Sequence, residues 1–125
     1  MKRLLINVLF FLFISTPFTF AQQWLWVKAG GGTSGDYGNG VATDKAGNVF
    51  VTGSFQGAAT FGSTQLTNSG QTDIFIVKYN TSGTVLWAKK AGGTAADEGS
   101  AVAVNKTGDC FVTGFFFRYC CFWCY

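Results

Sequence analysis

The sequence predicts an all-β fold assembled from a repeated unit of antiparallel strands. A segment that begins at Val41 returns at Val102, an offset of 61 residues, and the two copies align without a gap as far as Phe55 and Phe116. Each copy holds two short apolar runs joined by a polar turn that contains glycine, which is the pattern of a β-hairpin. Glycine is abundant, aromatic residues make up 18% of the chain, and Pro17 is the one proline. This composition suits short strands and tight turns.

The N-terminus has the pattern of a secretory signal peptide. Lys2 and Arg3 precede an apolar run, Leu4–Ile14, and Ala21 lies at a small-residue position of a cleavage site. We therefore predict a signal-peptide helix over residues 1–21, cleavage after Ala21, and a secreted or cell-surface location. A retained membrane anchor is the alternative. The apolar run is shorter than the ~20 residues of a spanning helix, so we expect no stable membrane span in the mature chain.

The rest of the chain is predicted to alternate between strands and turns. The segments Asp44–Gly47 and Asn80–Gly83 are predicted turns, in which glycine supplies a positive φ angle. Segments 30–40 and 64–72 are predicted loops, and 57–63 is a predicted bend. The predicted strands are rich in aromatic and β-branched residues and are Gln23–Ala29, Val41–Thr43, Asn48–Phe55, Asp73–Tyr79 and Thr84–Lys89.

The last four of these strands define one repeat unit, a four-stranded antiparallel sheet in sequential order. The offset of 61 also relates Trp26 to Trp87 and Asp36 to Asp97. A fixed period with four strands per unit is typical of solenoids and β-propellers. We predict a repeat region over residues 22–116, with one complete blade at about 36–91, a partial second blade at 97–116, and an aberrant tail at 117–125.

Several motifs carry a resemblance to a known family. The chain contains W-x-K-x-x-G-G from Trp26, D-x-G from Asp36, D-x-x-G-N-x-x-V-T-G-x-F from Asp44, and D-x-F-x-x-K-Y-N-x-x-G-x-x-x-W from Asp73. This series resembles the bacterial secreted β-propeller repeat often called SBBP. The resemblance implies a propeller blade in an exported or cell-surface protein. The family has no generally assigned catalytic residues, so none is transferred here.

A single complete blade leaves the predicted propeller unfinished, because propellers close with ~4–8 blades. The apolar run in Asp73–Tyr79 predicts that both faces of this strand are covered. The expected partners are therefore neighbouring blades of a longer protein, which we favour, or other copies of this chain in a head-to-tail ring. Removal of Lys2 and Arg3 leaves a formal charge of +1. This gives no electrostatic case for binding nucleic acid or an anionic membrane.

The chemistry of the chain argues against an enzyme. The sequence contains no histidine, which excludes Ser–His catalysis and histidine metal sites within the chain. We predict no catalytic, cofactor or metal-binding residue. Asp36 and Asp97 occupy one repeated position beside a glycine loop; turn capping is favoured for them, and a paired-carboxylate site stays open. The segment 31–40 weakly resembles a glycine–aspartate calcium repeat, but its second copy loses most of the glycines.

Aromatic residues suggest a possible ligand surface. Trp24 and Tyr37 lie outside the strictly repeated positions and are predicted to be exposed, whereas Trp26, Tyr79 and Trp87 are predicted to stack between blades. Trp24, Tyr37, Asp36 and Asp97 are therefore the possible ligand-facing residues. We expect a non-enzymatic scaffold or surface-interaction module that binds protein or glycan. The alternatives are a carbohydrate-binding module and a non-catalytic part of a secreted hydrolase.

The C-terminal tail departs from the repeat. All four cysteines lie near this end, at Cys110, Cys120, Cys121 and Cys124. A frameshifted or truncated end is the favoured interpretation, with structural disulfides as the alternative. The C-x-x-C spacing at Cys121 and Cys124 permits a redox pair or half a metal site, but no second motif supports either.

Overall fold

The computed structural model describes residues 25–117 and the backbone of residues 123–124, and the regular structure in these segments is entirely β-strand. The all-β prediction is therefore confirmed for the described residues, whereas the predicted signal-peptide helix and Trp24 lie outside them. The strands are β1 (Gly30–Gly32), β2 (Asp36–Thr43), β3 (Val49–Phe55), β4 (Ala58–Phe61), β5 (Thr64–Thr67), β6 (Asp73–Tyr79), β7 (Val85–Ala91), β8 (Asp97–Val104), β9 (Cys110–Phe116) and β10 (Trp123–Cys124).

Strands β2, β3, β6 and β7 form the central sheet, in that order and with antiparallel neighbours. The four strands follow the predicted sequential order, with a separate hairpin inserted between β3 and β6. The predicted turns are present. Gly47 N–H donates to the Asp44 carbonyl over 3.0 Å with φ 81°, and Gly83 N–H donates to the Asn80 carbonyl over 3.0 Å with φ 77°. Both glycines thus adopt the left-handed backbone that the turn requires.

Four segment predictions were wrong, and three of them concern a second, smaller sheet. Residues 25–29 form no strand, although Gln23–Ala29 was predicted as one. Strand β1 instead lies in the predicted glycine loop, and the hairpin β4–β5 occupies the predicted bend and polar loop at 57–72; together they form the sheet β1-β4-β5. A side chain at Gly32 would collide with the backbone of Ala58. Glycine weakens strand propensity but allows this close approach between backbones.

The hydrophobic core lies between the central sheet and the sheet β1-β4-β5. Strand β6 directs alternate residues into it, and the Phe75 ring packs 4.9 Å, centroid to centroid, from the ring of Phe61 on β4. Burying each such phenylalanine contributes about 1.5–3 kcal/mol. The buried members of this core are Phe55, Ala59, Phe61, Phe75, Val77 and Tyr79.

The opposite face of the central sheet is covered by the second copy of the repeat. Strands β8, β9 and β10 form a third sheet, and β8 crosses the central sheet so closely that a Cβ at Gly99 would lie 2.9 Å from Ile74 Cγ2. Phe50 and Thr52 on this face are fully buried. Strand β6 is therefore covered on both faces, as its apolar run predicts.

Candidate functional site

Three aspartates lie at one end of the packed sheets, which we call the aspartate end. Asp36, Asp73 and Asp97 are the first residues of β2, β6 and β8. Asp36 and Asp73 are both register partners of Phe55 and so share one row of the central sheet. Asp97 joins this row because its N–H donates to the Thr72 carbonyl over 2.9 Å.

Each of these carboxylates orders the loop that precedes its strand. A carboxylate oxygen accepts a hydrogen bond from the backbone N–H four residues earlier, and the three bonds have similar lengths. The donors are Gly32 to Asp36 (2.6 Å), Ser69 to Asp73 (3.0 Å) and Gly93 to Asp97 (2.7 Å). These hydrogen bonds are the kind expected if Asp36 and Asp97 cap the preceding loops, which was the favoured interpretation. Asp73 makes the same kind of bond.

The predicted pair Asp36 and Asp97 also shares a second contact. Asp36 Oδ1 accepts from Gln56 N–H over 3.4 Å, and Asp97 Oδ1 accepts from Phe117 N–H over 3.1 Å. These donors occupy the same position in the two repeat copies. Asp36 is half-buried and Asp97 is buried. The structure thus gives both carboxylates a loop-closing role and turns Asp97 away from solvent.

Asp73 also lies at this end, although it was not among the ligand-facing residues predicted from the sequence. It is fully buried, and its Oδ2 atom also forms an ion pair of 2.9 Å with Lys90 Nζ. Its Oδ1 atom has no hydrogen-bond partner among the described residues. The signal in the sequence was a charged residue at the start of an apolar strand, because a charge that is buried there needs a partner.

Of the two aromatic residues predicted to be exposed, the structure describes Tyr37. It is 64% exposed beside the aspartate end, and its ring lies over Gly35. Trp24 is outside the described residues, so its exposure stays a prediction.

The aromatic residues predicted to stack are packed. The Trp26 ring lies 5.6 Å from that of Tyr79, and its Nε1–H donates to the Thr81 carbonyl over 3.1 Å. Burial raises the pKa of Tyr79 above its ordinary value. Trp87 meets Phe50 edge to face at 6.0 Å. These rings are thus parts of the packed layers.

Two further features concern the described residues alone. Within them, no group of three or more histidine, cysteine or acidic residues is placed to hold a metal ion. No helix there has the length and hydropathy needed to cross a membrane. Cys110 is buried in β9, and Cys120 and Cys121 lie outside the described residues.

Comparisons with known proteins agree with this architecture. Residues 26–54 match the family model described as "SBBP: Beta-propeller repeat". The chain is also 30% identical over 99 residues to an uncharacterized WD repeat-containing protein, L264, of Acanthamoeba polyphaga mimivirus. That alignment covers 74% of this chain and 7% of the viral protein. The chain therefore spans a small part of the length of this relative.

The two matches support the resemblance inferred from the motifs, at the level of the repeat. The matched segment contains β1, β2 and most of β3, and so includes Asp36 of the aspartate end. The bacterial origin stays a prediction, because the relative described above is viral. Residues 26–54 of this all-β chain are thus similar to the SBBP β-propeller repeat.

Proposed function

We propose that this chain is a non-enzymatic β-propeller repeat module of an exported protein, which serves as a scaffold and presents an interaction surface. The observation that carries the proposal is the face-to-face packing of the two repeat copies. The second copy packs on the face of the first that bears the buried Phe50 and Thr52, with Gly99 against Thr52, as successive blades of a propeller pack against one another.

The interaction surface is proposed to lie at the aspartate end. Three loops meet there, at 33–35, 68–72 and 92–96, and the aspartates described above tie each to the start of a strand. Loops held in this way lose little conformational entropy on binding, which favours affinity. Sites of recognition commonly lie on loops supported by a rigid scaffold.

The partners of the scaffold are proposed to be further repeat units, in the same protein or in other copies. The outer face of β9 exposes Phe111 and Phe115 to 40% and 59%, and Phe117, directly after the strand, is 56% exposed. Sedimentation of the full chain tests whether copies of this chain associate with one another. Self-association that Phe115→Asp abolishes would support them, whereas a wild-type monomer at high concentration would contradict them.

A glycan-binding role is the second candidate, and the exposure of Tyr37 favours it. Exposed aromatic rings present a flat apolar surface with a polar edge, which suits stacking on sugars. Glycan-array binding that Tyr37→Ala removes, with unchanged thermal stability, would establish this role. Absence of glycan binding by the wild type would leave the scaffold proposal in place.

Export is proposed on the basis of the signal-peptide pattern at the N-terminus. Expression of the full chain in a secreting bacterial host, followed by N-terminal sequencing of the released protein, tests it. The expected new N-terminus is Gln22. Recovery of the chain in the cytoplasm with its original N-terminus would contradict the proposal.

A further inference from the structure

The starting point is the buried carboxylate oxygen Oδ1 of Asp73. Asp73 is 0% exposed, and the hydrogen bonds of its carboxylate all go to Oδ2, from Ser69 N–H and Lys90 Nζ. Oδ1 has no donor in the described part of the chain. Leaving a buried oxygen without a donor is energetically unfavourable, and more so when the oxygen is charged. Such an atom indicates that a further group completes the site.

A second carboxylate oxygen faces the same small volume. The backbone of Gly92 passes between Asp73 and Asp97, and a Cβ at this glycine would lie 2.8 Å from Asp73 Oδ1 and 2.9 Å from Asp97 Oδ2. Gly92 also has a φ angle of 152°, which disfavours a side chain there. Two carboxylate oxygens from consecutive repeat copies therefore converge beside a residue that adds no side chain of its own.

The described contacts leave a negative charge at this junction. Asp73 is paired with the ammonium of Lys90, which also contacts Ser69 Oγ. The bonds that Asp97 accepts come from the neutral backbone N–H groups of Gly93 and Phe117. Two buried carboxylates thus share one described ammonium. Buried charges in proteins are paired or bind metal ions, because leaving a charge uncompensated away from water is costly.

We propose that the junction between Asp73 and Asp97 binds a hard divalent cation, Ca²⁺ or Mg²⁺, which links the two repeat copies. Both ions prefer oxygen ligands, and carboxylates supply them with compensating charge. Two carboxylates form an incomplete shell, so backbone carbonyls or water must provide the remaining ligands. We therefore expect weak binding, in the range of about 10⁻⁴–10⁻³ M that is typical of extracellular calcium modules.

The first copy shows why the site belongs to a junction. A Cβ at Gly31 would lie 2.8 Å from Asp36 Oδ2, so this carboxylate faces its glycine much as Asp97 faces Gly92. No counterpart of Asp73 accompanies Asp36 within the described residues. A cation site of this kind thus needs two successive repeat copies, one to supply each carboxylate.

Thermal unfolding of the full chain, followed by tryptophan fluorescence, tests the proposal. The chain is compared in EDTA, in about 5 mM CaCl₂ and in about 5 mM MgCl₂ at matched ionic strength. We expect one or both ions to raise the melting temperature by about 5 °C through preferential binding to the folded state. Asp73→Asn and Asp97→Asn should remove this rise, whereas Asp109→Asn, at an exposed turn, should retain it.

Calorimetric titration of the wild type with CaCl₂ or MgCl₂ keeps the test decisive if the variants fail to fold. One cation bound per chain is the expected result. Melting temperatures equal to that in EDTA with both ions, titration heats equal to those of dilution, or an undiminished response in folded Asp73→Asn would each overturn the proposal.

Discussion

The two copies of the repeat have nearly the same local structure but opposite surroundings. Strands β2–β3 and β8–β9 pair in equivalent registers, and a bulge falls at the same point, between Gly38 and Gly40 and between Gly99 and Ala101. Phe50 is 0% exposed in the first copy, whereas its counterpart Phe111 is 40% exposed in the second. The repeated sequence thus specifies the hairpin, and the neighbouring sheet decides which of its faces is buried.

The reverse difference appears on the other face of the two hairpins. Val41 of the first copy is 68% exposed, whereas its counterpart Val102 is half-buried against the central sheet. The copies also differ in sequence at one outward position, where Phe115 replaces the buried Ser54. Equivalent positions therefore provide matched pairs of substitutions, in which one member tests the interface and the other is its control.

The largest difference is expected between the two equivalent phenylalanines. Phe50→Ala removes a fully buried ring that meets Trp87 edge to face and lies under the ammonium of Lys78 at 4.7 Å. The free energy of unfolding should fall by about 3–5 kcal/mol, the usual cost of such a cavity. Phe111→Ala should cost less than about 1.5 kcal/mol, because its ring is partly in water. Urea denaturation measures both, and equal losses would contradict the burial difference.

The next largest difference is expected between two equivalent glycines. Gly99→Ala places a Cβ 2.5 Å from Thr52 Oγ1 and 2.9 Å from Ile74 Cγ2, and the interface must shift to accept it. We expect a loss of about 1–3 kcal/mol, as for other overpacked cores. Gly38→Ala is the control, because its Cβ would meet nothing within 4 Å. Unchanged stability of Gly99→Ala in urea denaturation would show that the sheets do not pack as described.

A smaller effect is expected from a polar contact across the same interface. Asn39 Nδ2 donates to Glu98 Oε1 over 2.8 Å and to the Gly99 carbonyl over 2.9 Å, so it links the two repeat copies. Asn39→Ala should lower the free energy of unfolding by about 1 kcal/mol, the typical net value of such bonds. Ser100→Ala, at the equivalent and exposed position of the second copy, serves as the control in the same urea assay. A larger loss in the control would contradict the proposed link.

Much of the fold was predictable because its signals are local. The apolar run of β6 and the turn residues Asp44 and Gly47 specify a strand and a tight turn over a few neighbouring positions, and both occur where predicted. Strand β1 was missed because Gly30–Gly32 has no side chains to form a pattern, and its pairing with β4 depends on a distant segment. Sequence alone could indicate strands but not which backbone would approach a glycine.

The candidate site shows the same limit. Asp36 and Asp97 were identifiable because they recur at a fixed offset, which marks a position with one structural role. Asp73 has no repeated counterpart within the described residues, and its closeness to Asp97 and Gly92 arises from packing between two copies. A cluster of this kind depends on non-local geometry and therefore emerges only when the sheets are assembled.

The smallest effect is expected from the two polar turns. Asp44 and Asn48 of the first turn are replaced at the equivalent positions of the second by Asn105 and Asp109, so the acid and the amide change places. The hydrogen bond from Asn48 Nδ2 lowers the pKa of Asp44, and the bonds from Thr107 and Asn105 lower the pKa of Asp109. A lowered pKa in the folded state stabilises the protein above the unfolded value, about 3.8, and this contribution disappears as the pH falls through the lower native pKa. Stability should therefore decline below about pH 4.

Urea midpoints measured between about pH 2 and pH 6 test this decline, and they also separate the two turns. Asp44→Asn and Asp109→Asn should each flatten the acid limb, because each removes one of the titrating groups. Asp44 also forms an ion pair of 3.3 Å with Lys78, and the Asp109 turn shows no such pair among the described contacts. The Lys78 and Asp44 side chains are only 18% and 9% exposed, and salt screens such partly buried pairs weakly. Lys78→Met should therefore reduce the Asp44 contribution to the acid limb and leave that of Asp109 unchanged. An acid limb as steep in Lys78→Met as in the wild type would show that Lys78 does not contribute to the difference.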